Sequence, residues 1–173
     1  MDLFSRSKPI LKELDLGIQM DSGAPSPVIL SNEHIVMLIF YLNHFEPNWN
    51  GTTIHVRDNN DDVGVACVQF RHYKQVKYGW PNDEAYAGHK YKKLGLLPYR
   101  IYEVENSDWY AELEKGNSVH PYHNKERFMQ GKHYIFFFHD SCFEVICKEI
   151  IVETHKAASL NTIAKHKAME LFK

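Results

Sequence analysis

The sequence predicts an α+β fold: a mostly antiparallel sheet of roughly seven strands, barrel- or sandwich-like, with two or three helices packed on one side. Three observations predict it. Short apolar, β-branched and aromatic runs recur between residues 28 and 152, separated by turn residues. Strand and helix patterns do not alternate strictly, which disfavours a doubly wound parallel sheet. The C-terminal residues carry apolar side chains at helical spacing, the mark of an amphipathic helix.

Residues 1–27 read as a peripheral N-terminal segment and 28–173 as one α+β domain. Within the segment, Pro9 near the start and Gly17 past the end predict a short helix over 9–16. Pro25 and Pro27 push their neighbours out of helical geometry, so 23–27 is expected to be an extended or turn segment. Runs 28–30 and 35–42 are apolar strands. Runs 53–57 and 63–71 alternate, and Asn59, Asn60, Asp61 and Asp62 between them predict a hairpin turn. Residues 72–78 extend its second strand. Run 99–105 alternates and buries Ile101 and Val104.

Runs 133–138 and 143–152 are apolar on both faces, as central or covered strands are. His139, Asp140, Ser141 and Cys142 join them. Ser107 is placed to cap a helix over 108–115, which buries Trp109 and Leu113 and stops at Gly116. The last helix, capped by Ser159, buries Leu160, Ile163, Ala164, Ala168 and Leu171 and leaves Lys165, His166 and Glu170 outside.

The chain has 173 residues, 44% hydrophobic and 24% charged, with 20 Lys+Arg against 22 Asp+Glu. That composition excludes a disordered chain, and the net charge of −2 excludes a generally basic nucleic-acid coat. The longest apolar run, 35–42, is too short to span a bilayer as a helix. Cys67, Cys142 and Cys147 form no CxxC pair, and no secretory signal opens the chain. A reducing, cytoplasmic setting is the expectation. Asn50, Gly51 and Thr52 match a glycosylation sequon and are read as a turn. No Rossmann or P-loop glycine pattern, HExxH, GxSxG or EF-hand loop is present.

The 11 histidines are the one compositional sign of chemistry. Four constellations carry it. Glu84 and His89, in a Pro- and Gly-containing segment over 80–89, supply a base and its partner or two metal ligands. The simpler reading is a turn in which Asp83 caps backbone amides. His120 and His123, around Pro121, converge on a divalent transition metal if His139 or another group joins them. His139 and Asp140 sit in the turn before Glu144. Adjacent strand residues face opposite ways, so adjacency is not catalytic geometry. Glu144 lies between Phe143 and Val145 and must find a partner or stay neutral. Last, Arg71, Lys74, Lys77, Lys90, Lys92 and Lys93 are interleaved with Tyr73, Tyr78, Trp80, Tyr86 and Tyr91, the composition of a stacking surface for nucleotides or RNA.

Gly79 to Ala85, Gly88-His89, Gly95-Leu96, Tyr102-Glu103-Val104, Asn106-Ser107, Trp109, His120-Pro121, His123, Phe138 to Ser141 and Phe143-Glu144 resemble a family of uncharacterised bacterial proteins. The resemblance spans about residues 20–150. It implies a small bacterial cytoplasmic protein and carries no activity with it.

The leading expectation is therefore a polar pocket lined from 80–89, 120–123 and 139–144. It would bind a small polar or phosphorylated ligand, with metal-assisted or acid/base hydrolysis as the chemistry. Glu84, His89, Asp140 and Glu144 are the catalytic candidates, and His120, His123 and His139 the metal ligands. The rival is a non-catalytic interaction module, regulatory or immunity-type, using exposed aromatics. Nucleotide or RNA binding through 71–93 is the third, disfavoured by the neutral whole. The test between them is geometric: His89, His120, His123, His133 and His139 cluster, or the site reading weakens.

Overall fold

The computed structural model describes residues 7–22, 27–44 and 56–171. The sequon and residues 53–55 of the expected hairpin lie outside them. Among the described residues nine strands form two antiparallel sheets, stacked as a sandwich rather than closed into a barrel. β1 (Ile10–Glu13), β6 (Arg100–Glu105), β7 (Lys132–Phe137), β8 (Cys142–Cys147) and β5 (Gln75–Gly79) lie side by side in that order in the first sheet. The second has β2 (Val28–Ser31), β3 (Ile35–Tyr41), β4 (Val65–Arg71) and β9 (Glu149–His155).

The inner faces meet over Val36, Leu38 and Phe40 of β3, Ala66, Val68 and Phe70 of β4, and Phe136, Phe143 and Val145 opposite. Phe40 meets Phe138 edge-on at 5.1 Å between ring centroids, and Phe70 meets Phe136 at 5.5 Å. Edge-on contact sets the positive rim of one ring against the negative face of the next. Each buried Phe contributes roughly 1.5–3 kcal/mol by removal from water.

Several expected elements differ. Residues 10–13 form an edge strand, not a helix, because pairing with β6 satisfies backbone groups that a helix this short leaves open. Met20 of the same segment is buried in the core. Residues 143–152 are not one strand. The chain leaves the first sheet after Cys147 and enters the second at Glu149, and the exposed Lys148-Glu149 pair marks the crossing between two apolar stretches. Likewise β4 ends at Arg71, His72 turns with φ +52°, and β5 joins the other sheet.

The helices pack on opposite sides, not one. α3 (Leu160–Leu171) lays Leu160 and Ile163 on Met37, Ile39, Tyr41, Val65 and Cys67 of the second sheet. Ser159 caps it, accepting from the Thr162 amide at 3.2 Å. Lys167 is buried on this helix because Glu153 and Glu170 hold its ammonium, at 2.6 and 3.0 Å. α1 (Asp108–Asn117) covers the first sheet instead, packing Trp109 and Tyr110 on Ile146. Short α2 (Lys125–Phe128) adds Phe128 beside them. Gly131 lets the chain into β7: a Cβ there would sit 2.7 Å from the Cys147 carbonyl oxygen and 2.9 Å from the Tyr110 hydroxyl. The rest of this outer face is roofed by the segment between β5 and β6, whose Tyr91 and Leu96 press onto Tyr102, Val104, Ile135 and Phe137.

Candidate functional site: two histidine–carboxylate centres

Register puts the first centre together. His133 pairs with Ile146 and Ile135 with Glu144, so His133 and Glu144 are diagonal neighbours on one face of the β7–β8 pair. That face is turned away from the sandwich core and toward α1 and the roof segment. His133 Nε2 lies 2.9 Å from Glu144 Oε2, and the ring is fully buried. His89, from the roof, brings its Nε2 to 3.9 Å from the other carboxylate oxygen. Trp109 meets the His133 ring edge-on at 5.0 Å, and Tyr91 stands 6.0 Å away.

Ser107 completes this centre. After β6 the chain reverses through Asn106, whose φ of +51° is left-handed, a region asparagine enters at little cost. The turn delivers Ser107 to the start of α1 over His133. Its Oγ is 2.8 Å from His133 Nδ1 and accepts from the Tyr110 amide at 3.1 Å. Burial alone would raise Glu144, but the His133 hydrogen bond and the adjoining His89 hold it well below the usual carboxylate range. Burial lowers His133, against the opposing pull of Glu144. The arrangement is thus an ionised carboxylate accepting from the Nε2–H of a neutral imidazole, with Nδ1 left to accept from the serine hydroxyl. A cavity of about 510 Å³ opens beside it, lined by Ser107 and His133 together with Val104, Tyr110, Ala111 and Met129.

The second centre lies where β7 gives way to the turn before β8. His139 Nδ1 is 2.8 Å from Asp83 Oδ2, and the Tyr99 hydroxyl reaches that same oxygen at 2.6 Å. Tyr99 also lies 2.8 Å from His139 Nδ1 and stacks nearly parallel to its ring. The Asp83 amide donates to the His139 carbonyl at 2.8 Å, which docks segment 80–85 on the hairpin. Burial would raise Asp83, but the Tyr99 and His139 hydrogen bonds leave it below its ordinary value. Burial, then the Asp83 carboxylate, push the Tyr99 phenol up, so it stays a donor. The His139 side chain remains 43% exposed, and its Nε2 is 3.8 Å from Asp140 Oδ1.

The named candidates therefore divide. His89 and Glu144 come together, with His133. His139 and Asp140 come together, with Asp83. Glu84 is exposed; its neighbour Asp83 makes the contact, since the Asp83 amide bond to His139 turns that residue inward. The 120–123 segment joins neither centre. His123 bonds Glu114 and Asn117, both at 2.9 Å, and His120 accepts from the Tyr122 amide at 3.2 Å. His120, His123 and His139 do not form the expected ligand set. Among the described residues no group of three or more His, Cys, Asp or Glu side chains is placed to hold a metal ion. The five histidines do not make one cluster either, because His133 and His139 lie about 20 Å apart along an extended chain.

The basic segment is also divided. Lys74, Lys77, Lys90 and Lys92 each hold their ammonium 4.0–4.5 Å above Phe128, Trp109, Tyr91 and Tyr86, respectively. Lysine stems here cover the molecule's own rings. Burial pushes the Cys142 thiol up, so no thiolate nucleophile stands in the hairpin turn.

Sequence reasoning missed three contributors. In the sequence Asp83 shows only as a turn cap, Tyr99 only as the start of a strand, and Ser107 only as a helix cap. For Ser107 a signal existed: a strand, a tight turn and a helix opening on serine. No helix among the described residues is long and apolar enough to cross a membrane. No protein-family model, curated protein or solved structure matches this chain.

Proposed function

We propose that the chain binds a small polar molecule where segment 80–89 docks on the β7–β8 hairpin, and hydrolyses it by general acid–base chemistry. The observation that carries this reading is the Asp83–His139 pair. A carboxylate on Nδ1 fixes the ring and its tautomer, leaving the Nε2 lone pair to take a proton from an attacking water. Tyr99 holds the same carboxylate oxygen as His139, and a half-exposed ring leaves room for a substrate. Asp140 stands beside Nε2 as the acid or the polar contact that orients the leaving group. Asp83 takes the orienting role first sought in Glu84. His89 and Glu144 belong to the buried centre, where they brace the same hairpin.

The test is turnover of p-nitrophenyl acetate and p-nitrophenyl phosphate by the full chain. Hydrolysis that falls about 10²–10⁴-fold in His139→Ala supports the reading, that being the usual worth of a positioned base. No turnover of either ester, or turnover unchanged in His139→Ala, overturns it.

One observation favours the interaction module as a second reading. Val119 and Tyr122, in the α1–α2 connection, are 86% and 89% exposed, and Tyr and other aromatics are common interface anchors. That surface is remote in function from His139, so an interaction module would keep its partner in His139→Ala and lose it in Tyr122→Ser.

A further inference from the structure

The buried centre offers a chemistry distinct from that of His139. We infer that Ser107 is a nucleophile for acyl transfer, activated by His133 and Glu144, with a small carboxylic ester as the substrate class. Two hydrogen bonds carry the inference: Ser107 Oγ to His133 Nδ1 at 2.8 Å, and His133 Nε2 to Glu144 Oε2 at 2.9 Å. They run in series through one imidazole. Nucleophile to base and base to orienting acid are the two contacts that define a serine hydrolase centre on any fold. Here the two imidazole nitrogens exchange their usual partners, which leaves the proton path intact.

Three further features suit the role. Ser107 and His133 are both among the residues that line the cavity of about 510 Å³, which places a space able to hold a ligand beside the buried relay. Val104, Ala111 and Met129 give it some apolar wall for an acyl chain, while Glu103, Glu105, Asp108 and Glu114 with Lys125 and Lys132 make the rest strongly polar. Ser107 also opens α1, where first-turn amides and the helix dipole favour the negative charge that develops on a carbonyl oxygen. The capping bond does not compete with the relay. The Tyr110 amide uses a lone pair of Oγ, and the hydroxyl proton stays free for His133.

The step balances within the site. Oγ attacks the ester carbonyl carbon as its proton passes to His133 Nδ1, and Glu144 holds the imidazolium through Nε2–H. The carbon–oxygen bond to the alcohol breaks, and the Nδ1 proton leaves on that alcohol. Water then attacks the acyl-serine by the same route and restores the free hydroxyl. Tyr91 borders this centre, its ring 6.0 Å from that of His133 and its buried phenol beside Ser107.

The experiment is labelling of the full folded chain with a fluorophosphonate probe, located by peptide mass spectrometry. Expected is one adduct on Ser107, absent after heat unfolding. In Glu144→Gln its rate should fall about 10²–10⁴-fold. Ser107→Asn keeps a good helix cap and so preserves the fold while removing the nucleophile; it should take no label. No Ser107 adduct on the folded wild-type chain overturns the inference. So does an adduct whose rate is the same in the unfolded chain or in Glu144→Gln, since a serine that is only a cap has no activation to lose.

Discussion

Strand β7 and the turn after it carry two histidines, and each meets a carboxylate at nearly the same distance, 2.9 Å for His133–Glu144 and 2.8 Å for His139–Asp83. Their surroundings separate them. The His133 side chain is fully enclosed, and its pair is roofed by Tyr91 and Trp109; the His139 side chain is 43% exposed. The same imidazole–carboxylate chemistry thus meets different electrostatics. In the enclosed centre the desolvation of each charge must be met by a partner. In the open centre water screens the pair, and its value lies in orientation rather than stability. Two such pairs on one hairpin show that burial decides what a histidine–carboxylate contact contributes.

The contrast can be broken most directly by deletion. His133→Ala leaves Glu144 buried without its main donor and should cost about 3–5 kcal/mol in urea unfolding. His139→Ala should cost no more than about 1 kcal/mol, because a half-exposed pair is worth little. Equal losses would erase the distinction between the centres.

Acid sharpens it next. Burial lowers His133, so between its folded value and the ordinary histidine value near 6.5 the unfolded chain binds the extra proton. Stability should therefore fall as pH drops below about 6.5, by up to about 1.4 kcal/mol per pH unit for this group. Glu144 and Asp83 are both held low in the fold. Their contribution is complete above the usual carboxylate range and is lost below about pH 4. Unfolding followed from pH 7.5 to 4.5 should show the histidine limb in the wild type and in His139→Ala, and lose it in His133→Gln. A limb that survives in His133→Gln would assign it elsewhere.

The smallest expected effect is Tyr99→Phe. It removes one of the two donors to Asp83 Oδ2 at a partly open site and should cost about 0.5–1.5 kcal/mol by thermal unfolding. A loss as large as that of His133→Ala would mean that the open centre is structural too.

Much of the secondary structure was legible because it rests on local physics. The alternation in 99–105, the apolar character of 133–138, the Ser107 and Ser159 caps and the Leu160–Ile163 stripe all appear in the fold. Local reading failed where the chain changes layers. The charged pair Lys148-Glu149 does interrupt the apolar run, but one polar break does not say that β8 and β9 belong to different sheets. The short helix over 9–16 failed for the complementary reason: Pro9 and Gly17 are compatible with a helix, and only the free edge of β6 makes a strand the better use of those backbone groups.

The candidate residues were legible as types and not as partners. Glu144 had to have a partner because it lies in an apolar strand, and that argument needs no coordinates. Its partner, His133, sits eleven residues earlier and is brought across only by β7–β8 register. Ser107 reaches the same imidazole from another strand by way of a left-handed asparagine, and Asp83 reaches His139 across 56 residues. By itself the sequence determined most of the strands and helices between 28 and 171, that they make an antiparallel α+β fold, and which chemically capable side chains exist. Tertiary structure alone decided how they group, dividing one histidine-rich stretch into an enclosed centre, an open one and a separate surface loop. The reason is physical. Side-chain periodicity is set by backbone geometry over a few residues, whereas hydrogen-bond partners are chosen by which strands pair and in what register, a property of the whole chain.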